Sequence, residues 1–185
     1  MRILLIGNFG PNYEEESLHN LSFMKKLEAD GHECTVMNTS EHPATENTFI
    51  ETKSFFSFLI TLIKTCRNQD VVHYFTKGYL RLGLLKLMIA IFVGTLFRAR
   101  TFITIHSELF SIQGQMRSPV GGRQTLFAAF RMATAIICAD KDTYDVATMY
   151  MQKSNFEMIP SFIYFPDEIT KSGEEIGRAS CRERV

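Results

Sequence analysis

Short apolar runs alternate along this chain with longer stretches of helical period. The runs Arg2–Ile6, Glu33–Asn38, Asp70–Phe75, Thr101–Ile105, Ala135–Cys138 and Phe156–Ile159 are strand-sized and near-continuously apolar. That is the pattern of strands buried on both faces. Between them, Glu16–Ala29, Phe55–Arg67, Tyr79–Phe97, Gly122–Thr134 and Lys141–Gln152 read as helices. The first carries Leu18, Leu21 and Leu27 near helical spacing and stops at Asp30-Gly31, a glycine C-cap, while Asp140 stands ready to cap the last. The polar stretch Thr39–Thr52, which holds Pro43, reads as a loop. Parallel strands need crossover helices, so the alternation predicts an α/β fold: a Rossmann-like parallel sheet with helices on both faces.

Bulk composition narrows this further. At 185 residues, 45% hydrophobic and 12% aromatic, the chain suits one domain with a well-filled core. Cys34, Cys66, Cys138 and Cys181 are far apart, with no CxxC pair, which argues against a zinc site or a disulfide scaffold and fits a reducing cytoplasm. The apolar stretch Ile3–Ile6 is too short for a signal peptide. Formal net charge is zero, so the whole-chain balance calls for no nucleic acid, and none is expected as a partner. The stretch GYLRLGLLKLMIAIFVGTLFRAR raises a membrane question. Its longest uncharged run, Leu87–Phe97, falls well short of the ~20 residues that span a bilayer. A helix packed under the sheet is the simpler reading. The other is a peripheral membrane face, with Lys77, Arg81, Lys86, Arg98 and Arg100 meeting anionic lipid.

In open parallel sheets, ligands bind beyond the carboxyl ends of the strands. Gly7-Asn8-Phe9-Gly10-Pro11 follows the first strand, where glycines let backbone N–H groups approach a phosphate or sugar and a helix N-terminus adds its dipole. The spacing is G-x-x-G rather than G-x-G-x-x-G, and strand two ends at Met37-Asn38 without an acid, which disfavours a nicotinamide or flavin cofactor. Glu16 and His19 lie on the first helix turns facing the same crevice. His73, in DVVHYF, reads either as a hydrogen-bonded core residue or as a ligand. His106, followed by Ser107 and Glu108, sits where strand becomes loop, so its imidazole can serve a sugar hydroxyl or an anion. No metal-ligand spacing, phosphate-binding GxxxxGK[ST] loop or nucleophile elbow is present in the sequence. From the residues alone, the chain is a Rossmann-like binding domain with a polar crevice.

Taken in order, RILLIGNFGP, the helix with Glu16 and His19, DGHECTV, DVVHYF, TFITIHSE, MATAIICADKDTYDVA and FEMIPSFIYFP resemble the N-terminal domain of family 4 glycosyltransferases. The resemblance implies the N-terminal, acceptor-side half of a two-domain GT-B fold. It implies transfer of a sugar from a nucleotide-sugar donor to a glycan or lipid-linked acceptor, with no cofactor and no metal. His106 would be catalytic, with Gly7, Gly10, Glu16, His19, His73, Ser107 and Glu108 binding substrate. The implied setting is cytoplasmic, peripheral on the inner face of the plasma membrane. Two departures stand out: Glu14-Glu15 replace the family's usual glycine pair, and Ser161-Phe162 replace its asparagine-glycine. Residues 1–165 are expected to form the domain and 166–175 to begin an interdomain segment. Residues 176–185, IGRASCRERV, resemble translated sequencing adapter and are expected to be artefactual. Two other readings stay open: a non-catalytic Rossmann-like binding module, and a flavodoxin-like nucleotide-dependent enzyme.

Overall fold

The computed structural model describes residues 1–10, 15–40, 48–52, 54–76, 81–106, 123–150 and 155–160. Within them run β1 (Arg2–Gly7), α1 (Glu15–Ala29), β2 (Glu33–Asn38), β3 (Ile50–Glu51), α2 (Phe55–Cys66) and β4 (Val71–Thr76). The second half adds α3 (Arg81–Leu96), β5 (Arg100–Ile105), α4 (Arg123–Met132), β6 (Ala135–Cys138), α5 (Lys141–Tyr150) and β7 (Phe156–Met158). The strands form one parallel sheet in the order β3-β2-β1-β4-β5-β6-β7. The expected α/β, Rossmann-like sheet is thus observed. Its order is the doubly wound one that starts at the centre and winds outward both ways. It differs from a flavodoxin-like sheet, ordered 2-1-3-4-5, at one edge, by the two-residue strand β3.

Strand alternation sorts the core into two layers. Leu4, Ile6, Val72, Tyr74, Ile103 and Ile105 point to the face covered by α2, α3 and α4. Ile3, Leu5, Val36 and Phe75 point to the other face, where α1 contributes Met24. Helices therefore lie on both faces. The caps behave as their residues dictate. Gly31 takes φ 82° just past α1 and His32 N donates to Leu27 O at 3.0 Å, closing the helix end; Asp140 Oδ1 accepts from Thr143 N at 2.7 Å before α5. The stretch expected to be all loop, Thr39–Thr52, holds the two-residue strand β3 instead. Ile50–Glu51 pairs with Met37-Asn38, and Thr52 donates its N–H and hydroxyl to Asn38 O at 3.2 and 2.8 Å. Two residues carry too little pattern to announce a strand.

Helix α3 lies close on the sheet because Gly94 has no side chain. A Cβ there would come 2.8 Å from Thr101 Cγ2 and 3.2 Å from Val72 Cγ2. Alanine gains about 1 kcal/mol in helix propensity but overpacks two β-branched neighbours at about 1–3 kcal/mol. We expect Gly94→Ala to lower the thermal midpoint; a raised midpoint would mean that the helix can lift off without loss.

Candidate functional site

The chain leaves β1 and β4 toward opposite sides of the sheet, so a crevice opens between their carboxyl ends. Three segments meet there: Gly7 to Gly10 after β1, the first turns of α1, and His106 after β5, whose N–H donates to Thr76 O at 3.0 Å. The glycine loop is held from beneath. Asn38 is fully buried at the end of β2, and its Oδ1 accepts from Phe9 N at 3.0 Å and Ser40 N at 3.1 Å, while its Nδ2 donates to Glu51. Gly10 N donates to Asn8 Oδ1 at 3.0 Å. The amides of Phe9 and Gly10 are thus already engaged by side-chain oxygens rather than presented to a phosphate. What the two glycines supply is close packing. A Cβ on Gly7 would lie 2.9 Å from Phe75 Cβ, and one on Gly10 2.8 Å from Ser40 Oγ.

Helix α1 presents polar residues inward. Glu16, Ser17, His19, Asn20 and Ser22 are buried, while Leu18, Leu21 and Leu27 are only half-buried. Leu21 and Leu27 pack against the apolar cluster under the sheet, and the polar residues of the first turns face the crevice, where Glu16 and His19 were expected. Buried polar groups must be satisfied, and these are: Ser17 Oγ donates to Gly10 O at 2.8 Å, and Asn20 Nδ2 donates to Asn8 O at 2.9 Å. On its other side Asn20 Oδ1 lies 3.2 Å from His106 Nε2. Because a carbonyl oxygen can only accept, Asn8 fixes which way the Asn20 amide points. Asn20 therefore shows its oxygen to His106, and a neutral His106 carries its proton on Nε2 and its lone pair on Nδ1. Asn20 is a fully buried link between the glycine loop and His106 that sequence reasoning missed.

Around this link the rings close up. His19 and His106 sit with centroids 4.5 Å apart, edge to face, and Phe75 stacks on both His73, at 4.5 Å, and His106, at 6.1 Å. His106 and His19 are both buried, at the crevice wall. His73 lies one layer deeper, its Nε2 2.7 Å from Thr104 Oγ1. Burial first, then the nearby His106 and His19, pushes it down to about 3, so it is neutral at ordinary pH. Of the expected site residues, Gly7, Gly10, Glu16, His19 and His106 gather at the crevice and His73 supports it from below. Ser107 and Glu108 lie outside the described residues, as do Pro11, Glu14, Ser161-Phe162, the interdomain segment and the tail. Glu15 is the exposed first residue of α1. Glu16 is buried, and its charge adds to the burial that pushes the Tyr74 hydroxyl up.

Replacing Asn20 by leucine would leave the Asn8 carbonyl and His106 Nε2 without that partner, at about 1–3 kcal/mol for each buried group. We expect a clearly lower denaturant midpoint for Asn20→Leu and a smaller loss for Asn20→Gln. Equal, negligible losses would mean that the link is not formed.

Among the described residues no group of three or more His, Cys, Asp or Glu could hold a metal ion. Burial pushes the Cys66 and Cys138 thiols up to about 12, so neither is a nucleophile.

Solved structures with a similar backbone decide the fold. An α-glucosyltransferase in complex with UDP and a 13-mer DNA containing a HMU base superposes with a TM-score of 0.61 at 12% identity, over 87% of this chain and 42% of that one. An α-glucosyltransferase in complex with UDP matches with a TM-score of 0.57 at 15% identity, over 82% of this chain and 38% of its own. The likeness shows the fold: a Rossmann-like α/β unit that matches one part of these glycosyltransferases. The chain spans less than half the length of these structures. No family model matches the chain, and no curated protein sequence does. One expectation needs correcting: neutral net charge does not exclude nucleic acid. This same fold occurs in α-glucosyltransferases solved with DNA, one with UDP-glucose and DNA containing an abasic site. Net charge averages over a surface, whereas a partner meets one face of it.

Proposed function

We propose that this chain is the acceptor-side half of a family 4 type glycosyltransferase, which transfers a sugar from a nucleotide-sugar donor to a glycan or lipid-linked acceptor. The observation that carries the reading is the buried polar face of α1. A helix that turns Glu16, His19 and Asn20 inward, toward His106 and the switch point of a GT-B sheet, is arranged around a polar ligand. The likeness to enzymes solved with UDP supports the same class of donor.

In this reading His106 is the catalytic residue. With Nε2 turned to Asn20, a neutral His106 keeps its lone pair on Nδ1, the nitrogen through which it would act as a base. His19 and Glu16 line the same wall, and Ser107 and Glu108 follow His106 in sequence. Residues 1–165 form the acceptor domain, and a second α/β domain holds the nucleotide. The donor is a substrate, and no cofactor is required. The work is done in the cytoplasm, where widely spaced thiols stay reduced.

Positioning donor and acceptor together supplies about 7–11 kcal/mol of the barrier in reactions of this kind, and one half cannot do so. Residues 1–175, purified and offered labelled nucleotide sugars, are expected to transfer none. Turnover by that segment would contradict the division of labour between two halves.

A further inference from the structure

Two helices of this chain end in the same hydrogen-bond pattern on different residues. After α1, Gly31 N donates to Glu28 O and His32 N to Leu27 O, both at 3.0 Å, with Gly31 at φ 82°. After α3, Arg98 N donates to Thr95 O at 3.0 Å and Ala99 N to Gly94 O at 2.9 Å, with Arg98 at φ 62°. This left-handed helix end is ordinarily a glycine position, because a Cβ crowds the following carbonyl there. Among the described residues Arg98 is the one non-glycine at positive φ, and it is exposed. A cation within the last turn would meet the helix dipole without that strain. What the arginine adds here is a guanidinium at the amino end of the sheet.

Its surroundings carry the same charge. The C-termini of α2, α3 and α4 lie at this end, and α3 packs between α2 and α4. Lys64 and Arg67 close α2 and Arg131 closes α4, all exposed. Two acids, Asp70 and Glu33, stand at the strand starts, both beside Arg2. Asp70 Oδ2 accepts from Arg2 N at 2.8 Å, its Oδ1 lies 3.8 Å from the Arg2 guanidinium, and Glu33 is the register partner of Arg2 in β2. On the α1 side the charges balance, Lys25 and Lys26 against Glu28 and Asp30. Lys64, Arg67, Arg98 and Arg131 therefore form a cationic row across three helix ends.

We propose that this row binds the phosphates of duplex nucleic acid without regard to base sequence. Arginine forks engage phosphate oxygens two at a time. Packed helices stand about 8–10 Å apart, so Arg67 and Arg131, two helices apart, straddle the ~12 Å of a major groove with Arg98 between them. An unpaired strand needs rings to stack on, and the large side chains exposed beside this row, Leu96 and Met132, are aliphatic. A bilayer takes up amphipathic helices that lie in its plane, whereas these three meet the surface end on. The row lies at the opposite end of the sheet from the crevice, so the proposal does not depend on sugar transfer.

The test is fluorescence anisotropy of short labelled duplexes titrated with the 185-residue chain, at salt from about 50 to about 200 mM. Two unrelated duplex sequences should bind alike, with a slope of log Kd against log salt of about 3–4 for four phosphate contacts. Arg98→Gly relieves the positive φ, so its thermal midpoint should be no lower than the parent's. Its affinity should nevertheless fall about tenfold, and its salt slope by about 0.9. Arg98→Asn, neutral and also tolerant of this backbone region, should match it, while Arg98→Lys keeps the charge and should keep most of the affinity. Lack of duplex binding at the lower salt would overturn the proposal, as would glycine and asparagine variants that bind like the parent. So would tighter binding of the single strand than of the duplex, or complete displacement of the duplex by phosphatidylglycerol vesicles.

Discussion

His106→Ala is expected to lower turnover by about 10²–10⁴-fold, the usual range for losing a positioned acid–base group, in a protein that carries both halves of the fold. Position drives this expectation: His106 ends the β5 segment at the crevice, one ring from His19 and tied through Asn20 to the glycine loop. The sequence alone predicts near-native stability for this variant, because strand ends are usually open. Burial changes that part of the expectation. Alanine would strand the buried Asn20 Oδ1, at about 1–3 kcal/mol, so activity must be read per folded molecule. His106→Gln is the companion variant, since an amide can still donate to Asn20 without acting as a base. Both variants should lose turnover while the second keeps more stability. Normal activity per folded molecule in either would make His106 a packing residue.

The second large effect is on stability against pH. His73 is buried against Phe75 and Thr104, and its pKa is depressed from 6.5 to about 3. The native state thus keeps it neutral where the unfolded chain takes up a proton. Stability from this group is fully present above pH about 6.5 and is lost as pH falls toward 3, at up to about 1.4 kcal/mol per pH unit. Carboxylates titrate over part of the same window, so the informative quantity is a difference in slope. His73→Gln removes the titrating ring and keeps a partner for Thr104. Denaturant midpoints measured from pH 7 to pH 4 should fall steeply for the parent and by about one proton's worth less for the variant. Parallel slopes would mean that His73 is solvated or already charged in the native state.

Both effects rest on residues whose positions were legible in different degrees. The strands were readable because a parallel sheet buries both faces and writes continuous apolar runs; β3 was not, because Ile50–Glu51 owes its pairing to Asn38 rather than to its own pattern. His106 stood out because a strand-to-loop histidine is visible locally. Asn20 did not, since its partner lies 86 residues away and nothing near it in sequence announces that contact. The two ends of α1 were legible in different ways: Glu16 and His19 follow from the position of the first turns beyond β1, while Leu21, Met24 and Leu27 pack on the apolar cluster as helical spacing dictates. Charge was misleading because a total averages over the chain: between Thr52 and Ser107 every charged residue but Asp70 is a lysine or arginine.

The same logic clarifies what the glycine loop does. Engaged amides on Phe9 and Gly10 leave Gly7 and Gly10 as spacers that let the loop sit against Phe75 and Ser40. A ligand at this end therefore meets side chains of α1 and His106 rather than a row of bare N–H groups. That suits an acceptor or sugar more than a diphosphate, in keeping with the proposed division in which another domain would grip the donor.

The most direct measurement is sugar transfer by the gene product with a second α/β domain in place. Labelled UDP-sugars are offered together with glycan and lipid extracts, and label is followed into product. Transfer from at least one donor, without added metal or cofactor, is the predicted result. Absence of transfer from every donor, with a nicotinamide or flavin nucleotide bound at the β1–β4 crevice instead, would contradict it.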